Sequence, residues 1–195
     1  MDYLEKIKSI CWNLMLAGTK FKPWQYGTVD MLTKRVRNKN VVLIGNSPTV
    51  FNSKKDIDKY DFVIRCNRAF PFKYEEYIGS KTNMIFTSYN ILPAELQKLD
   101  YPLLVWCYRQ DRMTRYMKSI SFLLEWRKTV TTGVRAIQAL MCTDFKTLTI
   151  YGFDFHKTGC WWHSRQDSAP HDMPWEEDYV RNLAKTNDRI RLVIE

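Results

Sequence analysis

The stretch Val41-Val42-Leu43-Ile44-Gly45-Asn46-Ser47 decides the fold. Four apolar residues run without a polar break, and the chain then turns at a glycine and two small polar residues. A strand with one wet face alternates apolar and polar positions. A strand that is apolar at every position has both faces covered, as in a parallel sheet packed between helices. Glycine at the strand end lets backbone approach a ligand, and Asn46 offers both donor and acceptor groups. Many strand-to-loop turns have the same composition, so these three polar positions alone fix no function.

The same pattern recurs outward from this point. Phe62–Cys66, Met84–Thr87, Leu103–Cys107, Leu148–Tyr151 and Ile190–Ile194 are short apolar runs bounded by polar or turn residues. Helices are expected between them at Pro93–Leu99, Met113–Trp126, Gly133–Cys142 and Pro174–Lys185. Gly133–Cys142 places Val134, Ile137, Leu140 and Met141 on one face. Pro174–Lys185 opens on proline and carries Glu176, Glu177 and Asp178 in its first turn, which suits the helix dipole. Alternating strands and helices predict an α/β fold: one Rossmann-like domain with a mostly parallel sheet flanked by helices. Ligands in such sheets lie beyond the carboxyl ends of the strands. That rule points to Gly45–Ser47, Asn67, Thr87–Asn90 and Gly152–Phe155.

The chain has 195 residues, is 45% hydrophobic and carries a formal charge of +9. It is long and apolar enough for one packed domain and excludes a disordered chain. Residues 1–39 read as a basic N-terminal helical extension and residues 40–195 as the domain itself. Residues 1–40 hold eight Lys/Arg against three acids, and residues 108–128 hold six against two. Such stretches suit an anionic partner (a nucleotide, a nucleic acid or a membrane surface) and equally a basic soluble surface. The five cysteines, Cys11, Cys66, Cys107, Cys142 and Cys160, have no metal-type spacing. Their odd number argues for a reducing, cytoplasmic setting. No signal peptide or membrane-spanning run is visible, and Ile10–Gly18 reads as part of an amphipathic helix.

Two further groups of residues can carry chemistry. Thr131-Thr132-Gly133 precedes an apolar helix, where hydroxyls and unpaired N–H groups form an anion site; simple helix capping explains the same residues. His156, His163 and His171 are seven and eight positions apart, a spacing that does not pair them on a helix face as metal ligands. His171 lies in Ser168-Ala-Pro-His-Asp-Met-Pro-Trp-Glu176, just before a helix, and imidazole is suited to take a proton near neutral pH. Glu176, in the first helical turn, can hold the loop by accepting backbone N–H bonds. Trp161 and Trp162 can stack a sugar or base, or fill core.

Taken together, three motifs in order resemble the eukaryotic-type sialyltransferase family and its microbial and viral relatives. Val41–Ser47, Ile57-Asp58, Asp61–Asn67 and Ile78–Thr82 look like its large donor-binding motif. Thr131–Gly133, Ala136–Cys142 and Leu148–Phe153 look like its small motif. His171-Asp-Met-Pro-Trp-Glu176 is similar to its terminal His-x4-Glu motif, and Trp161-Trp-His163 stands where the family has a His-aromatic motif. The resemblance spans roughly residues 40–193.

This resemblance implies a variant GT-A fold and an inverting, metal-independent glycosyltransferase without cofactor. Its donor would be a nucleotide sugar, CMP-sialic acid first, and its acceptor a glycan hydroxyl. Gly45, Asn46, Ser47, Asn67, Thr131, Thr132 and Gly133 would hold the donor, with Asn46 and Asn67 at the nucleotide and its phosphate. His171 would be the general base, with Glu176 beside it, and His163 would stabilise the departing phosphate. Trp161 and Trp162 would meet the acceptor or sugar. A monophosphate leaving group can be met by amides, a helix N-terminus and an imidazole without a metal ion. The family's Golgi members join the large and small motifs by a disulfide; here Val41 replaces the first cysteine while Cys142 is kept. Two other readings stay open: a phage-type enzyme moving a sugar from a UDP-type donor onto a base in DNA, and a non-catalytic nucleotide- or nucleic-acid-binding module.

Overall fold

The computed structural model describes residues 29–87, 104–107, 130–161 and 171–194. Six strands run parallel: β1 Asn40–Ile44, β2 Phe62–Cys66, β3 Met84–Thr87, β4 Leu104–Cys107, β5 Thr147–Tyr151 and β6 Ile190–Val193. Their order across the sheet is β4-β3-β2-β1-β5-β6. The chain thus builds outward from β1 on one side, then returns to lay β5 against the other side of β1. This reversal is the switch point at which α/β sheets open a crevice. All six expected strands are present, within one residue at each end. The expected helices Pro93–Leu99 and Met113–Trp126 lie outside the described residues, as do Ile10–Gly18 and the basic stretch 108–128.

Helices α1 (Val29–Val36), α3 (Thr132–Met141) and α4 (Met173–Thr186) accompany the sheet, with the one-turn α2 (Glu75–Ile78) between β2 and β3. Alternation along each strand divides the apolar residues between two cores. Val41, Leu43, Phe62, Ile64, Met84, Leu148 and Ile150 join Val134, Ile137, Leu140 and Val180 of the helices. Val42, Ile44, Val63 and Tyr151 join Val50, Ile57 and Ile78 on the other face. That double coverage is why β1 is apolar from Val41 to Ile44. Leu32 and Val36 of α1 are buried in the helical core, so the domain's packing extends into the segment 1–39.

Candidate active site

The carboxyl ends of β1 and β5 meet closely at the switch point. Gly45 N donates to Tyr151 O at 2.8 Å, and Ser47 N donates to Gly152 O at 3.0 Å. A Cβ on Gly45 would stand 2.2 Å from Gly152 O, so only glycine allows this approach. A Cβ on Gly133, at the start of α3, would stand 2.3 Å from Cε1 of Phe153. The Phe153 ring therefore sits between two glycines taken from two different motifs. Around it opens a solvent-connected cavity of about 630 Å³, open solvent at its mouth included.

Gly45, Asn46, Ser47, Asn67, Thr131, Thr132, Gly133 and Glu176 all line this cavity. The first and last of them lie 131 positions apart in sequence, and strand ends and two helix starts bring them together. Asn67 follows β2 with φ +51°, a left-handed conformation that asparagine tolerates better than most residues, and its N–H is held by Phe86 O at 2.8 Å. Thr131 caps α3, accepting from Val134 N at 3.3 Å.

Glu176 is 1% exposed and bridges two helix starts. Its carboxylate accepts from Thr131 N at 2.7 Å and from the Thr131 hydroxyl at 2.6 Å. It therefore holds the cap of α3 from α4, whereas the sequence reading gave it its own loop to hold. Burial pushes its pKa up from the ordinary 4.5, against the two Thr131 hydrogen bonds and the nearby His171 and Arg135.

His171 lies half-buried just before Asp172, which caps α4 by accepting from Trp175 N at 3.1 Å. It is close enough to Glu176 to act on that carboxylate's charge, and stands just outside the residues that line the cavity. Trp161 does not line it either. Its backbone N donates to Asn46 O at 3.2 Å, while its ring packs edge-on against Phe51 at 5.8 Å. Trp162 and His163 lie outside the described residues.

The lining also includes Cys66, Asp154, Phe155, His156 and Met173, which the motif reading had given no role. The strand-end rule had reached as far as Phe155. Asp154 is buried and accepts from Thr158 N at 2.8 Å and from the Thr158 hydroxyl. The Thr158 hydroxyl lies 3.3 Å from that of Ser47, which continues to Thr49 at 3.0 Å. A polar chain thus ties the β5 loop to the β1 loop. Burial pushes the Cys66 thiol well above its ordinary range, so it lines the cavity as a neutral group.

A parallel sheet with a cavity at its switch point, glycine-tight strand ends and a helix N-terminus defines an α/β class that opens its ligand site at the strand ends. Within that class, residues 19–134 match the model of glycosyltransferase family 29 (sialyltransferase). The match covers more than half of the chain, and the chain belongs to this family. A mammalian sialyltransferase in complex with Gal-beta-1-3GalNAc-ortho-nitrophenol superimposes with a TM-score of 0.57 at 19% identity, over 96% of this chain and 85% of that one. The sialyltransferase CstII from Campylobacter jejuni, in complex with the substrate analogue CMP-3FNeuAc, gives a TM-score of 0.54 at 16% identity, over 79% and 81%. The Arabidopsis thaliana beta-1,6-galactosyltransferase GALT29A is 43% identical over 68 residues. That match spans 34% of this chain and 17% of the length of the plant protein. Among the described residues, no helix is long and apolar enough to cross a membrane.

Proposed function

We propose that the chain transfers sialic acid from CMP-sialic acid to a glycan hydroxyl, with inversion and without a metal ion. The observation that carries this reading is the assembly of residues from all three motifs around one cavity, in a chain of family 29. Asn46, Ser47 and Asn67 hold the nucleotide side of the donor. The N-terminus of α3 at Thr132 and Gly133 supplies amides and dipole to its phosphate. His171 takes the acceptor proton as the acceptor oxygen attacks the anomeric carbon. The bond from that carbon to the phosphate oxygen breaks, and its electron pair leaves with CMP. Attack on the face opposite the leaving group inverts the centre. Among the described residues of the lining, both carboxylates are engaged by threonines, Asp154 by Thr158 and Glu176 by Thr131, which supports the metal-independent reading. A reducing location is supported by free Cys66, Cys142 and Cys160 and by Val41 buried within β1.

The Arabidopsis relative is named for galactosyl transfer, and that gives one second reading: a galactose donor, carried on UDP, in the same cavity. Thermal unfolding with CMP, CMP-sialic acid, UMP, UDP and UDP-galactose separates the two, because a ligand of the native state raises Tm with its affinity and excess. Selective stabilisation by CMP compounds upholds the first reading, and selective stabilisation by UDP compounds replaces it with the second. His171→Ala should lower turnover by about 100- to 10,000-fold while leaving nucleotide affinity unchanged. Turnover near that of wild type would remove His171 as the base. Activity should also survive EDTA; loss restored by magnesium or manganese would overturn the metal-independent mechanism.

A further inference from the structure

The cavity opens at the carboxyl ends of the strands, and the opposite end of the sheet has a surface of its own. There the four turns that lead into β2, β1, β5 and β6 lie side by side, in the order of the strands. Hydrogen bonds join them into one surface. Asp61 N donates to Asn40 O at 3.0 Å, Asn38 N to Asp144 O at 2.9 Å and Lys146 N to Lys39 O at 2.9 Å. The Arg189 guanidinium donates to Phe145 O at 3.3 Å. Strands about 4.8 Å apart spread these turns over a front of roughly 15 Å.

The front is basic. Residues 34–39, 59–61, 144–146 and 185–189 hold eight Lys/Arg against three acids. Lys34, Arg35, Arg37, Lys146, Lys185 and Arg189 are exposed. Two of the acids are already engaged. Asp61 accepts from the backbone and side-chain nitrogens of Asn40 at 2.8 and 3.0 Å, and Asp144 lies 3.9 Å from Arg37. Lys34, Arg35 and Lys185 stand in the last turns of α1 and α4, where cations offset the helix dipole. That role accounts for three of the eight and leaves the turns themselves unexplained. A nucleic acid is held in a groove or by an element that enters one. Here the charges stand on the blunt end of a sheet. An acceptor in nucleic acid would also have to reach the cavity, about 15 Å farther along five-residue strands. A bilayer with anionic headgroups is flat, matches the front in charge, and leaves the cavity open to the aqueous phase.

We infer that the amino-terminal end of the sheet is a membrane-docking surface: it holds the protein electrostatically on a bilayer that contains anionic lipid, with the cavity facing away. The attraction is that of clustered Lys and Arg for a negative surface potential, and it acts within a Debye length of the headgroups. It needs no apolar side chain inserted into the bilayer. The docking is independent of which nucleotide sugar the cavity takes.

The test is cosedimentation of the full chain with phosphatidylcholine vesicles, with and without phosphatidylserine. Wild type should pellet only with the anionic vesicles. Raising salt from about 0.1 M to about 1 M shortens the Debye length from about 10 Å to about 3 Å and should release it. The triple variant Lys34→Gln, Arg35→Gln, Lys146→Gln should bind about 100-fold more weakly, since each Lys or Arg near the surface contributes about a factor of five. All three side chains are exposed, so Tm should match wild type. If Tm falls, Lys146→Gln alone carries the test, with an expected loss of about fivefold. The control Lys73→Gln, Lys157→Gln removes exposed charges from the segments that follow β2 and β5, and it should bind as wild type. Equal loss per charge removed in the control overturns docking through this end. So does wild type pelleting with both kinds of vesicle or with neither, or a triple variant that binds as wild type. Duplex DNA is the competing polyanion. DNA binding as tight as vesicle binding, and lost in the same triple variant, overturns the inference and assigns the surface to nucleic acid.

Discussion

The residues of the large motif divide between two places that differ in what they hold. Gly45, Asn46, Ser47 and Asn67 line the cavity. Asp58, Arg65, Gly79 and Thr82 belong to the same motif and form a closed clasp on the other face of the sheet. Arg65 is fully buried. Its guanidinium donates to the Thr82 hydroxyl at 2.7 Å and to the carbonyls of Ala69, Ile78, Gly79 and Lys81 at 2.8–3.4 Å. Asp58 accepts from Lys81 N, Ser80 N and the Ser80 hydroxyl at 2.8–3.0 Å. Gly79 has φ +63° and would place a Cβ 2.4 Å from Asp58 Oδ1. Arg65 and Cys66 are neighbours on one strand, yet the first fills the clasp and the second the cavity, because successive side chains point to opposite faces. One motif therefore contains a binding half and a structural half. The structural half fixes the chain between β2 and β3, and with it the strand whose end carries Asn67.

The largest expected effect separates the halves by stability. Arg65→Met should destabilise the protein by about 3–5 kcal/mol, because it leaves a buried hydroxyl and several carbonyls without a donor. Arg65→Lys should recover little of this, since an ammonium lacks the planar fork that reaches several acceptors. Urea denaturation measures both; a stability close to wild type in either variant would break the comparison.

Next come the two glycines against Phe153. Gly45→Ala and Gly133→Ala should each cost about 1–3 kcal/mol through overpacking, and each should reduce turnover further by displacing the cavity wall. Adding Phe153→Leu should restore stability to Gly133→Ala, whose clash is with the ring. It should not restore Gly45→Ala, whose clash is with the backbone oxygen of Gly152. Equal rescue of both would show that the β1–β5 approach has slack.

The smallest effect is one of sign with pH. At Asp58, burial alone would raise the carboxyl pKa, but the hydrogen bonds from Lys81 and Ser80 and the charge of Arg65 outweigh it and hold it below 3.8. Its contribution is present above that value and is lost as pH falls through the depressed folded pKa. Glu176 behaves oppositely. Its folded pKa is raised above 4.5, so the folded state binds the extra proton, and its contribution declines as pH rises through that window. Stability differences measured from pH 3 to 7 should therefore move in favour of Glu176→Gln on raising pH, and in favour of wild type over Asp58→Asn. Parallel slopes for the two variants would erase the distinction between them.

Much of this arrangement is legible in residue order. Short, mostly apolar runs gave each described strand, even where Arg65, Thr149 and Arg191 interrupt them. The ends of β1 and β2 gave Gly45–Ser47 and Asn67 through the rule for ligands at strand ends, and proline with acids gave the start of α4. The partner of Glu176 was not legible: Thr131 lies 45 positions away, and only the packing of α4 beside α3 joins them. Trp161 reads in sequence as either a stacking surface or core, and packing turns its ring onto Phe51. His156 carries no sequence signal of its own, because nothing in its neighbours announces that Phe155 and His156 are both left-handed.

The sequence by itself determined the parallel α/β fold, the family and the strand ends from which a ligand site is built. Hydrophobic period, glycine and proline act locally and can be read in order along the chain. The tertiary structure alone decided which motif residues face the cavity and which close the clasp, and which carboxylates are already engaged. It also decided that His156 lines the wall. Those outcomes depend on contacts between segments distant in sequence, where the face a side chain takes and the partner it meets are set by packing and not by its neighbours in the chain.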